Sequence, residues 1–120
     1  MRGSRMRRVD GAMKTVLSEA IAKDLKDPRV GFVTVTGVKT SPDLRYARVY
    51  VSVLGDPSER SASMDGLRSA HGFLQRRLAS ELTLKHTPSL TFEYDESVDH
   101  GMRITELLNE RASEEESSDR

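Results

Sequence analysis

Met64-Asp65-Gly66-Leu67-Arg68-Ser69-Ala70-His71-Gly72-Phe73-Leu74-Gln75-Arg76-Arg77-Leu78 is the stretch on which the fold turns. Met64, Leu67 and Ala70 share one face at helical spacing, and Leu74, Leu78 and Leu82 continue a similar stripe beyond His71 and Gly72. Two helical segments packed on a common core account for that pattern. Glycine inside a helix costs about 1 kcal/mol relative to alanine, so Gly72 marks a bend or a close backbone contact. On this reading Gly72 holds a conformation or contact that a side chain would disturb. Arg76 lies about half a turn from Leu74 and is expected in solvent. A small-residue corner with arginines beside it suits close approach to a phosphate backbone. An ordinary kink between packed helices is described by the same residues.

The rest of the chain orders itself around this pair. Val9, Met13, Val16, Leu17, Ala20, Ile21 and Leu25 predict an amphipathic helix over 7–25. Asp27-Pro28 ends it, because the residue before a proline disfavours helix. Val30 to Val38, rich in valine and threonine, predicts a strand, and Thr40-Ser41-Pro42-Asp43 a turn. Ala47, Val49, Val51 and Val53 alternate with Tyr46, Arg48, Tyr50 and Ser52, the pattern of a strand with one buried face. Asp56 is placed to cap the next helix, with Pro57 at its first position and Glu59 three residues after the cap. Leu90, Phe92 and Tyr94 predict a third strand after Pro88. Met102, Ile104, Leu107 and Leu108 predict a short C-terminal helix over 99–110.

The order is thus α-β-β-α-α-β with a C-terminal helix, an α+β class. A short turn makes the first two strands a hairpin, and two intervening helices favour a parallel crossover between the second and third. The result is a three-stranded mixed sheet with helices on one face, the type II K-homology (KH-like) arrangement. In that fold the corner between the crossover helices normally carries a Gly-x-x-Gly loop that clamps a nucleic-acid backbone. Here it carries Ala70-His71-Gly72. Residues 1–6 are expected to be a flexible lead, 7–110 the domain, and 111–120 a disordered acidic tail of serine and glutamate.

Charge divides the chain. Its formal net charge is zero, yet residues 1–92 hold 16 Lys/Arg against 9 Asp/Glu, and residues 93–120 hold 3 against 10. A basic body favours polyanionic partners such as nucleic acid, although a basic helical face can also be merely solvated. The absence of cysteine excludes disulfides and thiolate metal sites. No apolar run approaches the roughly 20 residues of a membrane span, and the arginine-rich N-terminus lacks the apolar stretch of a signal peptide. A cytoplasmic monomer without membrane contact is expected.

Asp27-Pro28-Arg29-x-Gly31 before Val33-Thr34-Val35-Thr36, Ala47-x-Val49-Tyr50-Val51-Ser52-Val53-Leu54-Gly55, Ala70-His71-Gly72-Phe73-Leu74, Pro88-x-Leu90-x-Phe92-x-Tyr94-Asp95-x-Ser97 and Gly101-Met102-x-Ile104 follow one another in order. With these pieces the chain resembles the bacterial ribosome-binding factor A family over roughly residues 5–110. In that family an Ala-x-Gly kink replaces the K-homology loop, and it falls at Ala70 and Gly72 here. The resemblance departs at Gln75, often arginine in the family, and at Leu84-Lys85-His86, commonly richer in arginine. It implies an assembly factor of the 30S subunit that binds 16S ribosomal RNA during late maturation and rRNA processing, without catalysis or cofactor. A protein–protein adaptor using the exposed sheet face or the last helix is the alternative.

The candidate RNA-binding residues are Arg7, Arg8, Lys14, Arg29, Arg68, Ala70, His71, Gly72, Arg76, Arg77 and Lys85. Tyr46 and Tyr50 share a strand face with Arg48 that could stack bases, although a sheet covered on one side must expose something. His71, His86 and His100 are scattered without metal-ligand spacing. Asp95, Glu96, Asp99 and His100 cluster without a nucleophile motif, which favours turn formation and helix capping over acid–base chemistry.

Overall fold

The computed structural model describes residues 3–84 and 86–97. Helix α1 spans Ser4–Glu19 and continues as one π-helical turn, Ala20–Asp24. Strands β1 (Phe32–Thr40) and β2 (Tyr46–Leu54), helices α2 (Pro57–Ser69) and α3 (His71–Glu81), and strand β3 (Ser89–Tyr94) follow. This is the expected order. The first helix starts three residues before the sequence suggested, so 4–6 are helical, and β1 runs two residues further along the chain. The C-terminal helix expected over 99–110 and the tail over 111–120 lie outside the described residues.

The sheet has the order β1-β2-β3. β1 pairs antiparallel with β2, and β2 pairs parallel with β3, the crossover being α2 and α3. The period-two alternation of β2 is realised in full: Ala47, Val49, Val51 and Val53 are buried. They meet Met13, Leu17, Leu67, Leu74 and Leu78, all fully buried, in one cluster between helices and sheet. The opposite face has no helix on it among the described residues and presents Tyr46, Arg48, Tyr50 and Ser52. At its far end Phe32 and Leu54 are register partners and stand 80% and 73% exposed.

Local chemistry sets the joints. Asp56 and Glu59 form the expected capping box: Asp56 Oδ1 accepts from the Glu59 amide at 2.8 Å, and Pro57 opens α2. Such a cap contributes about 1 kcal/mol. Gly55, at φ 143°, makes the turn into it. At the other end of the sheet Asp10 joins α1 to β1, accepting from the Thr40 amide at 3.0 Å and from its hydroxyl at 2.6 Å. A bulge between Val35 and Gly37 frees Thr36 to donate to Asp95 at 2.6 Å.

The interhelical corner corrects the sequence reading. The break falls on Ala70, at φ −86° and ψ 6°, between the last turn of α2 and the first of α3. That bridge conformation is open to alanine and needs no glycine. Gly72 lies inside α3, and a Cβ there would meet only Arg76 Nη1 at 3.5 Å, an ordinary contact. The glycine with a packing reason is Gly66, buried in α2, where a Cβ would stand 2.6 Å from Val30 Cγ2. Ser63, one turn earlier, accepts from the Gly31 amide at 3.0 Å and donates to the Arg29 carbonyl at 3.3 Å. Together they seat the 27–31 turn on α2.

Candidate nucleic-acid interface

The corner gathers Arg68, Ala70, His71, Gly72 and Arg76 because α2 and α3 abut there with a single residue between them. Arg68 and Arg76 are exposed, while Ala70 and His71 are half-buried. Arg68 Nη2 donates to the Phe92 carbonyl at 3.4 Å, which lays its side chain toward β3. Arg76 is folded back along α3 toward the exposed Gly72. Two exposed arginines thus bracket the corner in the chain, Arg68 reaching toward β3 and Arg76 toward Gly72.

The neighbouring Arg77 is engaged differently. It is only 29% exposed and pairs with Asp24 at 2.5 Å and Glu81 at 2.9 Å. The Asp24 hydrogen bond leads the causes that raise its pKa. It ties α3 to the π-helical turn, and its charge is compensated by two carboxylates. Arg29 is likewise held: its Nε and Nη2 reach Asp27 at 3.1 and 2.7 Å, and its amide donates to the same carboxylate. That guanidinium keeps the Asp27 carboxyl below its usual 3.8.

On α1, Arg7, Arg8 and Lys14 are exposed. Arg7 and Lys14, seven residues apart, lie on one side of the helix, with Arg8 around from them. Lys85 lies outside the described residues. The candidates thus fall into a corner set, an α1 set and two arginines already paired with acids. Asp95 behaves as a turn residue: it accepts from Ser97 and Thr36, and those bonds hold its pKa down.

The Arg60–Tyr94 contact and the place of Lys39 beside the Tyr46–Arg48–Tyr50 face escaped the sequence reading. Arg60 stacks on Tyr94, its guanidinium carbon 4.0 Å from the ring centroid. On the open sheet face Lys39, Thr40, Ser41, Pro42, Tyr46, Arg48 and Tyr50 line a hollow of about 470 Å³. Lys39 alternates with Val38 and Thr40, so its exposed position was open to a period-two reading.

Comparisons with known proteins agree with this architecture. The sequence model of the family described as ribosome-binding factor A matches residues 5–108. A ribosome-binding factor A of Halothermothrix orenii is 44% identical over 120 residues, all of this chain and 98% of that protein. The crystal structure of ribosome-binding factor A from Thermus thermophilus superposes with a TM-score of 0.67 at 27% identity, covering 74% of this chain and 94% of that one. A homology model of the Thermus thermophilus factor, fitted into a cryo-EM map of its complex with the 30S subunit, gives a TM-score of 0.61 at 28% identity, over 72% and 91%. The family match over residues 5–108 and 44% identity along the whole chain leave one conclusion: the chain belongs to the ribosome-binding factor A family.

Proposed function

We propose that this protein binds the 30S ribosomal subunit during its assembly and contacts 16S ribosomal RNA through the α2–α3 corner and the exposed cations of α1. The observation that carries the reading is the corner itself. Arg68 and Arg76 stand exposed on either side of Ala70-His71-Gly72, where a K-homology fold presents its backbone-binding loop. The fitted complex of the Thermus thermophilus factor with the 30S subunit supports the choice of partner. In this reading Arg7, Arg8 and Lys14 extend the cationic surface. Arg29 and Arg77 hold the fold, and phosphate reaches them only in competition with their carboxylates. The role is binding without chemistry, and it belongs to late maturation and rRNA processing in the cytoplasm.

Cosedimentation tests it. The protein is expected to travel with isolated 30S subunits and not with 70S ribosomes, because an assembly factor leaves before subunits join. The logarithm of its affinity should fall linearly with the logarithm of salt concentration, as released counterions require. Equal binding to 30S and 70S particles, or a flat salt dependence, would overturn the reading.

A further inference from the structure

The open face of the sheet has two unlike ends. Phe32 and Leu54 make one end apolar. The other holds the hollow walled by Lys39, Thr40, Ser41, Pro42, Tyr46, Arg48 and Tyr50. Its volume, about 470 Å³, lies in the range of small-ligand sites, roughly 300–1,000 Å³. Both charged residues in its wall are cations, and they are register partners: Lys39 on β1 faces Arg48 on β2. Tyr46 and Tyr50 stand on either side of Arg48 along the same strand face, about 14 Å apart at 3.4 Å per residue. Tyr46 is 63% exposed. Tyr50 and then Glu93, opposite Tyr50 on β3, favour the charged form of Arg48 and raise its pKa. Aromatic rings interleaved with cations present π-faces to bases and charge to the phosphates between them.

We infer that this hollow is a second RNA site, taking an extended single strand of two or three nucleotides whose bases stack on Tyr46 and Tyr50 and whose phosphate lies between Lys39 and Arg48. The inference rests on the reading of the chain as an RNA binder and adds a contact on the face opposite the helices. Charge selects the occupant: a wall with two cations and no carboxylate suits a polyanion, whereas the Phe32–Leu54 end suits an apolar partner.

The test uses the full chain and an unstructured six-nucleotide oligouridylate. The protein has three tyrosines and no tryptophan, so its emission comes from Tyr46, Tyr50 and Tyr94. Saturable quenching of that emission is expected on titration. Tyr46→Leu should weaken binding about five- to 150-fold, the loss expected for one stacked base. Tyr46→Phe, which keeps the ring, should retain it, and Lys39→Glu should lose it. Phe32→Ser with Leu54→Ser, at the apolar end of the same face, should leave the oligonucleotide affinity unchanged. Absence of quenching, or equal affinity in Tyr46→Leu and the parent, overturns the site. So does a Tyr46→Leu variant that binds the oligonucleotide normally but loses subunit binding, because the face would then dock protein. Wild-type cosedimentation with 30S subunits is read separately, so loss of this site and loss of the main reading give different results.

Discussion

Replacing Gly66 with alanine places a methyl group 2.6 Å from Val30 Cγ2, 3.4 Å from Arg29 Cβ and 3.5 Å from Asp27 Cγ. Two effects oppose each other. Alanine improves helix propensity by about 1 kcal/mol. The overlap with Val30 is an overpacking defect, which costs about 1–3 kcal/mol. Val30 is β-branched and yields only by leaving its preferred rotamer or moving its backbone. The net expectation is a loss of about 0–2 kcal/mol. In a Val30→Ala background the obstructing methyl is gone and the remaining contacts are ordinary. There Gly66→Ala should gain up to about 1 kcal/mol. The substitution therefore changes sign with its background, and the coupling in a double-mutant cycle should be about 1–3 kcal/mol. Gly72→Ala is the control: it meets only Arg76 Nη1 at 3.5 Å and should be neutral or stabilising in the parent. Urea unfolding of the parent, the three single variants and the Val30→Ala/Gly66→Ala double variant gives every term. A Gly66→Ala gain as large in the parent as in the Val30→Ala background would refute the packing argument.

Other outcomes follow from the same geometry. Ser63→Ala strands the Gly31 amide and the Arg29 carbonyl beneath α2 and should cost about 1–3 kcal/mol in urea unfolding. Arg76→Glu should weaken cosedimentation with 30S subunits and leave the unfolding midpoint unchanged. Arg77→Glu should lower that midpoint, because it faces Asp24 and Glu81 with a like charge. Asp27, Asp43 and Asp95 all have carboxyl pKa values lowered from 3.8, chiefly by hydrogen bonds from Arg29, Ser41 and Ser97. Their folded pKa values lie below the unfolded ones, so their stabilisation is complete above the usual carboxylate range. It is lost as pH falls through the depressed values. Melting temperature followed into acid should drop there, and Asp27→Asn should flatten the drop.

Where a residue's role is set by its near neighbours in the chain, the sequence conveys it. Alternation in β2 identified the buried valines, and the Asp56-Pro57-x-Glu59 spacing identified the capping box. Both depend on contacts within a few residues. Ala70-His71-Gly72 located the corner but misassigned its bend. A glycine draws attention as a helix breaker, whereas the backbone turns at Ala70, whose bridge conformation leaves no mark in composition. Gly66 was passed over for the converse reason: it sits within a helical stripe, and only the folded 27–31 turn makes its missing side chain necessary. Arg76 and Arg77 read as an equivalent pair of cations. They part in function because Asp24, 53 residues away, reaches Arg77. The open-face hollow needed strand pairing before Lys39 and Arg48 could be seen side by side.

The central claim is that the α2–α3 corner meets ribosomal RNA, and a cryo-EM map of this protein on immature 30S particles tests it most directly. The expected map has Arg68 and Arg76 within contact distance of 16S phosphates, with the backbone at Ala70-His71-Gly72 against the RNA. A map in which that corner faces solvent or a ribosomal protein, with RNA contacts confined to other surfaces, would contradict it.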